Sequence, residues 1–169
     1  MLGANILSED DIKNLLGHTF FAETLHHTIR QTAVPPRYAE RQIIECLRYL
    51  YLTSAHHDKL GGLFLPVEQA IDEIWHYLIL QTREYQQLCD RLPGRIFIHH
   101  RSLPYEHYHP SASREQLVEE SLRWLPLYRQ AFGPFDEEAL PHWTMVRFLH
   151  DEMELSLATI ATLGAADAH

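Results

Sequence analysis

Apolar residues recur at spacings of three and four through most of this chain, in runs opened by prolines or by serines with an acidic or amide residue three positions on. A period of 3.6 residues gathers such side chains on one side of a helix, whereas a half-buried strand needs a period of two. Ser8 with Asp11 has the form of a capping box for a short helix ending near Gly17. A second helix is expected over 20–31, with Phe21, Leu25 and Ile29 four apart, and Pro35–Pro36 opens a third whose stripe is Ile43, Cys46, Leu47 and Leu50.

The stretch 54–65, with Gly61–Gly62, reads as a loop, and Pro66 suits the first turn of the next helix. Val67, Ala70, Ile71, Ile74 and Leu78 form its buried face, and the pattern runs on to about Arg91 before Pro93–Gly94 stops it. Unbroken, this helix would be about 39 Å long. Residues 95–99 have the β-branched and aromatic content of a short extended segment, and 102–112 form a polar loop rich in proline, tyrosine and histidine. Ser113 with Gln116 offers a second capping box, starting a helix that Pro126 is expected to kink or end. After a break at Gly133–Pro134, Pro141 opens the last helix, with Val146, Leu149, Met153, Leu157 and Ile160 as its apolar positions. The expected fold is all-α: a single compact domain over 1–169, of six or seven helices with at most a very short extended segment.

Charge narrows the partners. With 14 basic and 23 acidic residues the formal net charge is −9, which disfavours phosphate backbones and anionic membranes, and no basic arm offsets it. Neither nucleic acid nor a membrane is expected as a partner. Residues 1–7 lack the positive region and apolar run of a secretory signal, and no run of about 18 apolar residues suggests a membrane span. A cytoplasmic location is the expectation. Cys46 and Cys89 sit in helical patterns without a C-x-x-C partner, so two buried reduced thiols are expected, a disulfide between their helices being the alternative. Their apolar contexts argue against a reactive thiolate. Neither a phosphate-cradling glycine loop nor a nucleophile elbow nor a dinucleotide fingerprint occurs, so no nucleotide cofactor is expected.

Thirteen histidines are the compositional oddity, among them the pairs His26–His27, His56–His57 and His99–His100. Adjacent helical residues point about 100° apart, so such pairs rarely act as units and most of these side chains read as surface groups. Asp72 and His76 differ, because residues four apart share a helix face. Together they form half of a metal site that His99 or His100 could complete; in an extended segment those two point to opposite sides, so one faces inward. A ligand set drawn from Asp72, His76, His99 and His100 suits a zinc or iron ion. The alternative is a hydrogen-bonded Asp–His pair that only supports the segment carrying the histidine pair.

Trp75 is expected in the core with its indole N–H seeking a partner, and Tyr85 as a packing residue with a bonded hydroxyl. His150 and Glu154 repeat the four-residue spacing in mirror order; they would converge on the Asp72 pair only if the two helices lie side by side, and otherwise form a solvated face. Tyr105, His107, Tyr108 and His109 read either as a ligand-contacting loop or as plain surface, and His56, His57 and Asp58 as surface.

Pro66, the run Asp72-Glu73-Ile74-Trp75-His76, Thr82, Tyr85, Cys89, Gly94 and His99–His100 together resemble the helical domain of glycine-rich domain-containing proteins. That family's pattern is a proline, a D-E-x-W-H helix, a T-x-x-Y-x-x-x-C continuation, a glycine and a histidine pair. Cys46 and Tyr49 stand where the family places a cysteine and an aromatic. The resemblance spans 46–100 and departs in three respects: Leu78 replaces a frequent second histidine, Arg101 follows the pair where proline is usual, and no glycine-rich region is present. It implies a helical fold and a motif but no substrate. Two functional readings follow: a small metal-dependent enzyme, an iron oxygenase or zinc hydrolase acting on a small molecule, or a non-enzymatic helical module that binds a protein and uses the Asp–His cluster structurally.

Overall fold

The computed structural model describes residues 5–60, 65–100 and 113–164. The fold is all-α, with no strand among the described residues beyond an isolated bridge between Val67 and Trp143. In chain order the helices are α1 (Glu9–Leu16), α2 (His18–Thr32), α3 (Pro36–Ala55), the single turn α4 (His57–Leu60), α5 (Gln69–Leu80), α6 (Thr82–Arg91), α7 (Arg114–Phe132), α8 (Thr144–Arg147) and α9 (Leu157–Ile160).

Helix α3 is the axis of the fold, packed by α1, α2, α5 and α7. Ile43, Ile44, Cys46, Leu47, Leu50 and Leu52 are all buried, too many around one helix to leave a solvent face in its middle. Each fully buried Leu or Ile contributes about 1.5–3 kcal/mol. Both capping boxes form as their spacing predicts, Ser8 with Asp11 and Ser113 with Gln116, and Gly17 ends α1 at φ 80°. Cys46 and Cys89 are buried free thiols.

The structure corrects the expected elements at four places. The rod from Pro66 to Arg91 is two helices, α5 and α6, parted at Gln81 (φ −86°, ψ 67°). The buried series Ile71, Ile74, Leu78, Tyr85, Leu88 keeps its phase through the break, which is why periodicity does not disclose it. Pro126 does not end α7. The Leu122 carbonyl, which a residue with an N–H at 126 would bond, is covered by the turn at Gly164 (φ 70°), where a Cβ would collide with that oxygen and with the proline ring. The loop expected over 54–65 contains the helical turn α4. Finally, the helix expected from Pro141 onward is a 3₁₀ turn (Leu140–His142), α8, a π turn (Phe148–Glu152) and, after a break, α9. Met153 N–H reaches back to the Phe148 carbonyl, Glu154 takes φ 56°, and Ser156 caps a fresh start, leaving Met153 exposed.

What matters for the site is how residues 95–100 are laid on α5 and α6. Gly94 crosses the end of α3 so closely that a Cβ would strike the Ser54 carbonyl, and its N–H donates to Ser54 Oγ at 2.9 Å. Arg95 then turns the chain at φ 49°. Residues 96–100 carry no regular secondary structure, within the expectation of at most a very short extended segment near 95–99.

Candidate metal centre

Ile98 anchors the segment. Its side chain is buried, and its carbonyl accepts a 2.6 Å hydrogen bond from the Tyr85 hydroxyl, which itself accepts from Trp75 Nε1 at 3.0 Å. Trp75 and Tyr85 therefore have the packed bodies and paired polar tips that the sequence predicts. Two residues on, His100 reaches α5 with its imidazole only 7% exposed, its Nε2 2.7 Å from Asp72 Oδ1. The other Asp72 oxygen lies 3.4 Å from His76 Nδ1. The two imidazoles are 4.0 Å apart between centroids, and Trp75 meets His100 edge-on at 4.3 Å.

One ligand atom from each of Asp72, His76 and His100 lies within 4.8 Å of the other two. An ion bonded at about 2.0–2.2 Å separates neighbouring donor atoms by about 3.0 Å at right angles and about 3.4 Å at tetrahedral angles. The His76 separation of 3.4 Å falls in that range, whereas the 2.7 Å separation of His100, to the other Asp72 oxygen, is that of a hydrogen bond.

Asp72 and His76 are 39% and 46% exposed, so the cluster reaches solvent, and among the described residues Trp75 packs beneath it. Of the histidine pair only His100 stands in the cluster, in line with the expectation that one of the two faces inward; His99 is exposed and packs against Phe97. His150 turns to its neighbour Asp151 at 2.7 Å, and neither it nor Glu154 belongs to a ligand cluster among the described residues. His57 is exposed beside Asp58. Tyr105, His107, Tyr108 and His109 lie outside the described residues. Burial, then the nearby Asp72 charge, push the Cys46 thiol well up, and burial raises Cys89 also, which disqualifies both as nucleophiles at neutral pH.

Sequence reasoning missed a second polar constellation. Glu45 is fully buried on α3, and its carboxylate accepts from four donors: Arg41 Nε (2.8 Å) and Arg48 (2.7 Å) on one oxygen, Tyr128 Oη and Trp143 Nε1 (both 2.9 Å) on the other. Arg41 continues outward to Asp136, Glu9 and Glu138. The signal was present: a glutamate inside the apolar run Ile43-Ile44-Glu45-Cys46-Leu47, with arginines four before and three after it.

A family model described as UCP032817-like matches residues 13–127, and the chain belongs to that family. No curated protein and no solved structure matches. The resemblance to glycine-rich domain-containing proteins is thereby corrected, since the matching family is a different one. Trp75, Tyr85, Cys89 and His100, which suggested it, are the residues that fasten one short segment onto two helices, so their spacing reflects a local packing solution.

Proposed function

We propose that this chain binds one divalent transition-metal ion, zinc or iron(II), through Asp72, His76 and His100, and that the ion is the centre of a small metal-dependent enzyme. The convergence of two imidazole nitrogens and a carboxylate oxygen within 4.8 Å carries this reading. Such a donor set suits both ions, and three protein ligands leave coordination positions for water and a substrate. The exposure of Asp72 and His76 supports open positions on the solvent side, with Trp75 as the apolar floor beneath His100. When bound, zinc would supply an acidified water for hydrolysis, and iron(II) adjacent open positions for dioxygen chemistry. The free thiols Cys46 and Cys89 favour a reducing compartment, which supports a cytoplasmic setting and a small-molecule substrate there.

A second reading has its own observation. The 2.7 Å separation of His100 Nε2 and Asp72 Oδ1 is that of a direct hydrogen bond, which would support residues 95–100 in a non-enzymatic, protein-binding module. Elemental analysis of protein from metal-replete medium, with Asp72→Ala and His76→Ala alongside, separates the two. Stoichiometric zinc or iron in the parent and loss in both variants is expected, with a chelator lowering the melting midpoint of the parent alone. A parent without metal, whose midpoint a chelator leaves unchanged, overturns the metal reading.

A further inference from the structure

Among the described residues, an apolar groove runs between the start of α7 and the π turn. Glu115, Val118, Glu119 and Leu122 follow one another at spacings of three and four, so they share one face over about two turns. Phe148 and Met153 complete the lining of a space of about 690 Å³, within the range of binding sites. Val118, Leu122 and Phe148 are only half-buried, and Met153 is 46% exposed. The backbone fixes that exposure: Met153 N–H bonds back to the Phe148 carbonyl, and Glu154 turns the chain away at φ 56°, a left-handed conformation unfavourable for a residue with a Cβ. Such strain and such π turns both concentrate where proteins bind their ligands. Methionine, flexible and polarisable, suits a surface that must pack against a partner.

Charge selects the occupant. Glu115 and Glu119 are exposed along the stripe, exposed Glu152 and Glu154 flank Met153 in the chain, and no lysine or arginine is in the lining. Arg123 lies outside it, and Arg147, next to Phe148, is turned to Glu68 at 2.8 Å. An anionic lipid surface, or a second copy of this chain with its net charge of −9, meets repulsion there. A helix with apolar side chains at i, i+3, i+4 and i+7 and lysines or arginines beside them matches both the apolar stripe and the carboxylates. We infer that this groove docks a basic amphipathic helix of a partner protein. The surface uses none of Asp72, His76 and His100, so it does not rest on the metal reading.

The probe is a fluorescein-labelled helical peptide of leucine and lysine, with leucines at those spacings, titrated with the full chain and read by anisotropy. A leucine–glutamate peptide of the same pattern and a scrambled leucine–lysine peptide are the controls. Saturable binding of the patterned leucine–lysine peptide alone is expected, weakening as salt rises. Met153→Asp, at an exposed position, is expected to weaken it about tenfold or more by placing a charge in the apolar contact. Glu115→Gln with Glu119→Gln is expected to weaken it about threefold to tenfold and to flatten the salt dependence. Glu23→Gln with Asp90→Asn, an equal change of charge at exposed positions of α2 and α6, is expected to leave the affinity unchanged. Absence of saturation up to about 100 μM, equal binding of either control peptide, equal affinity of Met153→Asp, or equal weakening by the α2 and α6 pair would each overturn the assignment. So would a dimer of the chain that Met153→Asp dissociates, or retention on anionic phosphatidylglycerol vesicles that it abolishes.

Discussion

Glu45 and Asp72 are both carboxylates on helices of one core, and they are treated in opposite ways. Glu45 is enclosed, and its two oxygens are saturated by two arginines, a tyrosine and a tryptophan. Those donors come from α3, α7 and the residue before α8, so the carboxylate ties three parts of the chain together. Asp72 is more than a third exposed, and its oxygens face two imidazoles. Arginine and tryptophan side chains can only donate, and the Tyr128 hydroxyl is spent between Arg48 and Glu45, whereas imidazole can donate or ligate a metal. A carboxylate filled by obligate donors holds structure. One flanked by switchable donors and open to solvent is equipped to hold an ion.

The largest effect expected is therefore at Glu45. Glu45→Ala leaves two guanidinium groups buried without their shared anion, and breaking a buried pair of this kind costs about 3–5 kcal/mol. Denaturant unfolding should show that loss, with the metal content of the remaining folded protein unchanged. A loss under about 1 kcal/mol, the range of exposed pairs, would mean that Glu45 is no more structural than Asp72.

Next comes the link that fastens the histidine segment. Tyr85→Phe removes the hydroxyl between Trp75 Nε1 and the Ile98 carbonyl, leaving a buried donor and acceptor unpaired at about 1–3 kcal/mol. Because Ile98 positions His100, metal affinity should fall together with stability, which Glu45→Ala does not predict. Unchanged metal affinity in Tyr85→Phe would separate the anchor from the site.

How far the sequence discloses each region follows from the same contrast. Asp72 and His76 are four apart on one helix, and His100 lies in the segment just beyond, so the site is a local pattern; its openness was not legible, because exposure depends on what packs alongside. The Glu45 network joins residues up to 98 positions apart, and no local period reports that Tyr128 and Trp143 end at the same carboxylate. The capping boxes at Ser8 and Ser113 were legible because they close within one turn. The break at Gln81 and the π turn at Phe148–Glu152 were not, since the apolar residues keep a helical phase through both.

A smaller effect is expected at the edge of the closed network. His142 is buried against Tyr38, its Nε2 without a partner, and burial holds its pKa below the ordinary 6.5. The neighbouring Glu45 charge opposes that shift and Arg41 assists it. The unfolded chain thus binds the proton more readily than the native one. Its contribution is fully present above about pH 6.5 and is lost as pH falls towards the lowered native value, at up to about 1.4 kcal/mol per pH unit. His142→Phe should flatten the acid side of the stability curve below about pH 6.5; an identical slope in parent and variant would place the proton uptake elsewhere.

The smallest stability effect is expected where function is proposed. In metal-free protein Asp72→Asn removes a partly exposed ion-pairing group whose net contribution is about 0–1 kcal/mol. The isosteric amide retains an oxygen that can accept from His100, so the midpoint should hardly move. Saturating zinc or iron(II) should stabilise the parent by about 2.7 kcal/mol at a hundredfold excess over the dissociation constant. Asp72→Asn should gain far less, because a neutral amide is a poor ligand and one of the three donors is lost. A variant that matches the parent without metal and falls behind it with metal is the signature of a site whose geometry the fold supplies and whose charge it leaves for an ion. Should Asp72→Asn instead destabilise the metal-free chain as severely as Glu45→Ala, the two carboxylates would share one structural role, and the contrast between them would fail at its functional end.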